Sequence, residues 1–285
     1  MPILRRKNNI SICYERIDET HGAEVVVLLG GLTRDHTIWR KLIPMLKQHY
    51  QLILLDNRDA GQSSVLNTEY DIADMADDVV DLLKHLAFPS YHIVGHSMGG
   101  FMAIHIAAKH PELVKTLALC STTEKQVQAA IEYLNARIIS IDSQPSDTAT
   151  TASEHDVRAV MDKIYSADSL QDRRFVEEIV RHETSNPHPQ SAASFKRQAV
   201  ACMRHDASAL LSQISCPTLV VTGEKDKYYT PDVAQHLASQ LQHAQISIVP
   251  HAGHIIQIEQ PVFFCDTLNK FIHQNKNQEN LTCKL

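Results

Sequence analysis

The run Gly95-His96-Ser97-Met98-Gly99 places a serine between two glycines, just where a short apolar stretch, Tyr91 to Val94, gives way to a helical pattern. Strand, sharp turn, helix is the context in which a serine hydroxyl is pushed clear of a sheet and becomes a nucleophile. The turn needs strained dihedrals at the serine and brings the flanking positions into contact, so residues without a Cβ belong at 95 and 99. A helix that starts directly after the serine aims its free N–H groups at whatever the serine attacks.

A serine hydroxyl is a weak nucleophile at neutral pH and needs a base, and the base needs a carboxylate to orient it. In open parallel sheets such groups collect beyond the carboxyl ends of strands. Asp226 lies four residues past Thr222, the end of a predicted strand, and His254 five past Val249, the end of the last one. Both should rise on the edge that carries Ser97, in the chain order Ser, Asp, His. Glu224 and Asp232 compete for the acid. Sixteen other histidines compete for the base, above all His251 on the same loop and His96 beside the serine, which the turn directs away to pack beside the sheet.

The elements that must position these residues alternate. Ile10 to Glu15 reads as a half-exposed strand, and Val25 to Leu29, Gln51 to Asp56, Tyr91 to Val94 and Val114 to Cys120 as buried ones. Helical patterns cover Ile38 to Leu46, Ile72 to Leu86 and Met98 to Lys109, and Trp39 is expected to pack in the core. This rhythm predicts an α/β fold, a mostly parallel twisted sheet wrapped by helices. From about Thr122 to Leu211 the strand signals stop. Apolar stripes there (Val127/Ala130/Ile131/Leu134/Ile138, Val157/Val160/Met161/Ile164, Phe175/Ile179 and Phe195/Ala199/Cys202) predict helices, with Ser153 as an N-cap and Asp156 three residues on. The Ser/Thr-rich stretch 143–153 reads as a mobile hinge. Strands return at Thr218 to Thr222 and Ile246 to Val249, with helices from Pro231, capped by Thr230, and from Gln260 to Ile272. The polar tail from Gln274 is expected to fray. The division is therefore 1–121 with 212–285 as core and 122–211 as a helical cap.

Composition narrows the partners. A net charge of −6 and no basic cluster longer than Arg5-Arg6-Lys7 argue against nucleic acid. No apolar run is long enough to span a bilayer, and the N-terminus has no signal-peptide core, so a cytoplasmic location is expected. Six scattered cysteines without a C-x-x-C pair read as reduced, mostly buried thiols. His92 and His96 are four apart on a non-helical stretch and no H-E-x-x-H appears, so neither metal nor cofactor is expected.

With GHSMGG (95–100), LLGGLTRDHTIW (28–39), DNRDAGQSS (56–64), PTLVVTGEKDKYYTP (217–231) and HAGHIIQIEQP (251–261) in this order, the chain resembles the α/β-hydrolase superfamily along nearly its whole length outside the insertion. The resemblance implies Asp226 as the acid of a G-x-x-D stretch and His254 as the base of a G-H-x-x-x-x-E-x-P stretch. It also implies an oxyanion hole made by the backbone N–H groups of Met98 and Leu32. Two departures stand out. Relatives usually carry His-Gly at Gly30-Gly31, and Asp59-Ala60 replaces the first glycine and following residue of D-x-R-G-x-G-x-S. Asp59 reads either as a carboxylate at the pocket mouth or as a solvated loop residue near Arg58.

The expected function is that of a carboxylesterase-like serine hydrolase (EC 3.1) cleaving a small or medium hydrophobic ester, lactone or thioester through an acyl-enzyme on Ser97. A C–C bond hydrolase of a diketone-like substrate and a ligand-binding receptor on a hydrolase scaffold are the alternatives, and a homo-oligomer stays open. Fold alone does not choose between them.

Overall fold

The computed structural model describes residues 1–6, 9–20, 22–143 and 153–282. In chain order, strands β1 (Ile3–Arg5), β2 (Ser11–Ile17) and β3 (Val25–Leu29) precede α1 (Ile43–Leu46), β4 (Gln51–Leu55), α2 (Ile72–Leu86), β5 (Tyr91–His96), α3 (Met98–Lys109) and β6 (Val114–Cys120). Among the described residues, five helices without an intervening strand follow: α4 (Gln128–Asp142), α5 (Glu154–Ile164), α6 (Ala167–Gln171), α7 (Arg173–Thr184) and α8 (Ala192–Met203). Alternation then resumes with β7 (Thr218–Gly223), α9 (Pro231–Ser239), β8 (Ala244–Val249), α10 (Ile256–Glu259) and α11 (Pro261–Thr282).

The strands form one sheet ordered β1-β2-β4-β3-β5-β6-β7-β8. β1 and β2 are antiparallel at one edge, and every pair from β4 to β8 is parallel. The central strands VVVLL and QLILL are buried at every position because helices cover both faces. Successive residues point to opposite faces. Val25, Val27 and Leu29 therefore join the core under α2 and α3, while Val26 and Leu28 join the one containing Trp39 and α11. Five described cysteines are free thiols, four of them buried. No described helix is long and apolar enough to cross a membrane.

Several expectations need correction. The helix expected over Ile38 to Leu46 is instead a 3₁₀ turn at His36–Trp39, capped by the Asp35 side chain, and the short α1. Pro44 explains the break, since its ring admits it only in the first turn of a helix. The last helix does not stop at Ile272: α11 runs to Thr282, through a segment with no glycine or proline to interrupt it. The expected hinge at 143–153 falls mainly on residues 144–152, which lie outside the described residues. At its end, Ser153 caps α5 as predicted: its Oγ accepts the Asp156 N–H at 3.1 Å, and the Asp156 carboxylate accepts the Ser153 N–H at 3.3 Å.

Asp59 is neither solvated nor at a pocket mouth. It is 1% exposed and accepts from Nη2 and Nε of the Arg197 guanidinium on α8, at 2.7 and 2.8 Å. Tyr70 Oη, Ser194 Oγ and the Leu66 N–H complete its shell. Arg58 turns instead to Asp78 on α2, at 2.6 Å. Burial opposes the Asp59 charge, but Arg197 and the other donors hold its pKa below the usual carboxylate range. This ion pair fastens the loop after β4 to the helical segment. Arg197→Ala would leave a buried, unpaired carboxylate and should cost about 3 kcal/mol in denaturant unfolding. Because the folded-state pKa is depressed, the contribution of Asp59 is complete above about pH 4 and is lost as pH falls below it. Asp59→Asn should correspondingly flatten the acid limb of a stability-versus-pH curve.

Candidate active site

β5 ends at His96 and α3 begins at Met98, leaving Ser97 alone in the turn at φ 55° and ψ −119°. A non-glycine residue adopts such angles only when its surroundings impose them. Here the Ser97 N–H donates to the Cys120 carbonyl of β6 at 2.9 Å, and Thr122 Oγ1 and the Gly100 N–H donate to the Ser97 carbonyl. A Cβ on Gly95 would lie 2.7 Å from the Gly99 carbonyl carbon, and one on Gly99 would lie 2.7 Å from that of Leu29. The two glycines thus meet each other, as the sequence predicts, and also let α3 press against the end of β3.

Asp226 follows β7 and is buried. One carboxylate oxygen accepts the Tyr228 and Tyr229 N–H groups at 2.9 and 3.1 Å, and the other accepts His254 Nδ1–H at 2.9 Å. Burial works to raise its pKa, but the His254 ring, first by charge and then by hydrogen bond, keeps it below the ordinary carboxylate value. Asp226 is accordingly ionised at neutral pH. The bond from Nδ1 leaves His254 Nε2 with a lone pair for a proton. His254 and Ser97 line the same cavity. Among the described residues no hydrogen bond joins the Ser97 hydroxyl to the imidazole, and such contacts often tighten only when substrate binds.

The competing candidates fall elsewhere. Glu224 is exposed and accepts the His251 N–H, and the exposed His251 ring pairs with Asp168. Asp232 sits in the first turn of α9. His96 is buried, edge-on to Trp39, and donates from Nε2 to the His254 carbonyl at 2.9 Å. Burial, then the neighbouring His254, push it down to about 3, so it stays neutral and supports the His254 loop.

Two anchors of that loop were not assigned from the sequence. Glu259 accepts the N–H groups of Gly253 and Ser166 at 2.9 Å each and the Ser169 hydroxyl at 2.8 Å. The His254 N–H donates to the Ile164 carbonyl at the end of α5. The glutamate of the HAGHIIQIEQP stretch was the available signal, but its Ser166 and Ser169 partners lie 93 and 90 residues upstream and leave no local trace.

The two residues whose amides are expected to stabilise an oxyanion flank Ser97 in different ways. Met98 is the first residue of α3, where a backbone N–H has no intrahelical acceptor, and Leu32 lines the cavity beside Ser97. The cavity measures about 780 Å³ including its open mouth. Phe101 of α3, Leu134 of α4, Ile164 of α5 and Phe195 of α8 give it an apolar character, within the size range usual for small-molecule sites. No group of three or more His, Cys, Asp or Glu among the described residues is placed to hold a metal.

The chain belongs to the alpha/beta hydrolase fold family, whose family model matches residues 24–261, and it is a hydrolase of that family. It is 28% identical over 259 residues to the "Putative carbamate hydrolase RutD" of Variovorax paradoxus (strain S110), covering 89% of this chain and 94% of the relative. It is 24% identical to 3-oxoadipate enol-lactonase 1 of Acinetobacter baylyi, covering 90% and 91%. The enol-lactonase structure from Burkholderia xenovorans LB400 superposes with a TM-score of 0.83 at 23% identity, over 95% of this chain and all of that one, which is a likeness of fold.

The close approach at the elbow gives a direct stability test. Gly99→Ala would drive a methyl group into the Leu29 backbone, which cannot yield without moving β3. It should cost about 3 kcal/mol in thermal or denaturant unfolding, against less than about 0.5 kcal/mol for an exposed control such as Asn67→Ala.

Proposed function

We propose that this hydrolase cleaves a small or medium hydrophobic carboxylic ester, lactone or thioester through an acyl-enzyme on Ser97, in the manner of a carboxylesterase. One observation carries the reading. A serine hydroxyl on a strained elbow shares an apolar cavity with an imidazole whose other nitrogen is held by a buried carboxylate. His254 Nε2 takes the Ser97 proton as Oγ bonds to the substrate's carbonyl carbon. The resulting oxyanion rests on the Met98 and Leu32 N–H groups. His254 returns the proton to the leaving alkoxide or thiolate as the carbonyl–heteroatom bond breaks. Water then attacks the acyl group, His254 again takes and returns the proton, and the free acid leaves Ser97 restored. Asp226 fixes the imidazole tautomer and stabilises its cation throughout.

The segment 122–211 acts as a cap on a core of 1–121 and 212–285: α4, α5 and α8 all contribute side chains to the cavity above Ser97. Relatives named for carbamate and enol-lactone substrates support attack at an acyl carbon, and serine at this position fits acyl transfer. The location proposed is the cytoplasm.

A fluorophosphonate probe should label the protein at Ser97, and p-nitrophenyl butyrate should be turned over. Ser97→Ala or His254→Ala should lower kcat on the order of a million-fold, and Asp226→Asn about ten-thousand-fold. Substantial turnover by Ser97→Ala would refute the scheme. Labelling with no turnover of esters graded by acyl length would favour a receptor, and cleavage of a β-diketone in preference to every ester would favour C–C hydrolysis.

A further inference from the structure

The chain carries a net charge of −6, yet the described lining of the cavity over Ser97 contains two guanidinium groups, Arg34 and Arg137, and no carboxylate. The two cations differ in their surroundings. Arg34 is paired with Glu183 of α7. Arg137 of α4 has no ion pair or hydrogen bond among the described residues. Its guanidinium carbon sits 4.8 Å from the centre of the Phe195 ring, so an aromatic face holds it in place without neutralising it. The acids of the adjoining outer cavity are engaged elsewhere, Glu183 with Arg34 and Asp156 with the backbone and hydroxyl of Ser153. An oriented, uncompensated guanidinium in a mostly apolar cavity is a receptor for a planar anion, which it can grip by two parallel N–H bonds.

We propose that Arg137 is a specificity-determining residue and that the substrate carries a carboxylate in addition to the ester, lactone or thioester cleaved at Ser97. The inference rests on the acyl-transfer reading and narrows it. The acyl portion is hydrophobic where it passes Leu134 and Phe195 and anionic where it meets Arg137, as in a monoester of a dicarboxylic acid. One free guanidinium fork matches one carboxylate, and Arg34, already paired, supplies none of the recognition.

The test compares mono-4-nitrophenyl esters of succinate, glutarate and adipate with the same compounds methylated on the free carboxylate. At the best chain length, kcat/KM for the acid should exceed that for its methyl ester about tenfold or more. Arg137→Gln should reduce that ratio about 10- to 100-fold, the loss typical of a hydrogen-bonded charge pair. Arg137→Lys should retain part of it, and Arg137→Glu should invert it. Circular dichroism and thermal melting check that each variant is folded. A wild-type ratio of one or less at every length, or a ratio unmoved by Arg137→Gln, overturns the proposal.

A second arm is independent of turnover. Calorimetric binding of the uncleaved monoanilides of the same three acids is compared between the wild-type and Arg137→Gln proteins. Binding that requires Arg137 while no ester turns over would sustain the anion site and refute the acyl-transfer reading. Turnover of neutral esters alone, with no Arg137-dependent binding or preference, would do the reverse.

Discussion

The site depends on a backbone crossing. α3 leaves β5 through one residue, Ser97, held at φ 55°, and turns so sharply that Gly95 faces the α3 backbone and Gly99 the end of β3, neither with room for a side chain. A non-glycine residue in that region costs on the order of 1–3 kcal/mol, and it persists only where its surroundings over-determine it. β5 lies between β3 and β6, all six of its residues are buried, and both backbone polar groups of Ser97 are hydrogen-bonded to β6, Thr122 or α3. The strain is thus borne by the centre of the sheet, which leaves the hydroxyl no freedom to retreat.

A second crossing, between the ends of β7 and β8 at the sheet's edge, does for the acid and the base what the elbow does for the serine. A Cβ on Gly223, the last residue of β7, would lie 2.8 Å from the Ala252 carbonyl carbon, so the loops after β7 and β8 touch backbone to backbone. The Lys225 N–H donates to the Ala252 carbonyl and the Glu224 N–H to that of Val249, which locks the pair of loops together. Asp226 and His254 are 28 residues apart in the chain and 2.9 Å apart in space because of that seam.

What could be read from the sequence was the part written in local grammar. Paired glycines about a serine, β-branched runs, Ser153 with Asp156, and Thr230 before Pro231 each encode their geometry within a few residues, and each lies where it was expected. The failures divide in two. Pro44 was present to break the first helix, and the absence of any breaker after Pro261 was present to prolong the last; both signals were local but were outweighed by the apolar pattern. Asp59 was different in kind. Its environment is set by Arg197, 138 positions away, and a carboxylate that meets its cation only through tertiary packing looks in the sequence like any loop residue. Glu259 and its partners Ser166 and Ser169 escaped for the same reason.

These long-range contacts make the helices between β6 and β7 more than a roof. The Ile164 carbonyl and the Ser166 N–H, at the junction of α5 and α6, hold the His254 backbone and its anchor Glu259. α8 is fastened to the loop after β4 by Arg197 and Asp59. α4 contributes Ala130, Leu134 and Arg137 to the cavity and packs on α8, and it meets the loop bearing Asp226 through the Tyr133 ring, whose centre lies 5.4 Å from that of Tyr228. Among the described residues no hydrogen bond joins Leu134 or Arg137 to the backbone carrying Asp226 or His254, whereas the α5–α6 junction holds the His254 loop directly. On the proposed reading, a change at Arg137 would alter what the cavity accepts while leaving the hydrogen bonds that hold the His254 loop in place.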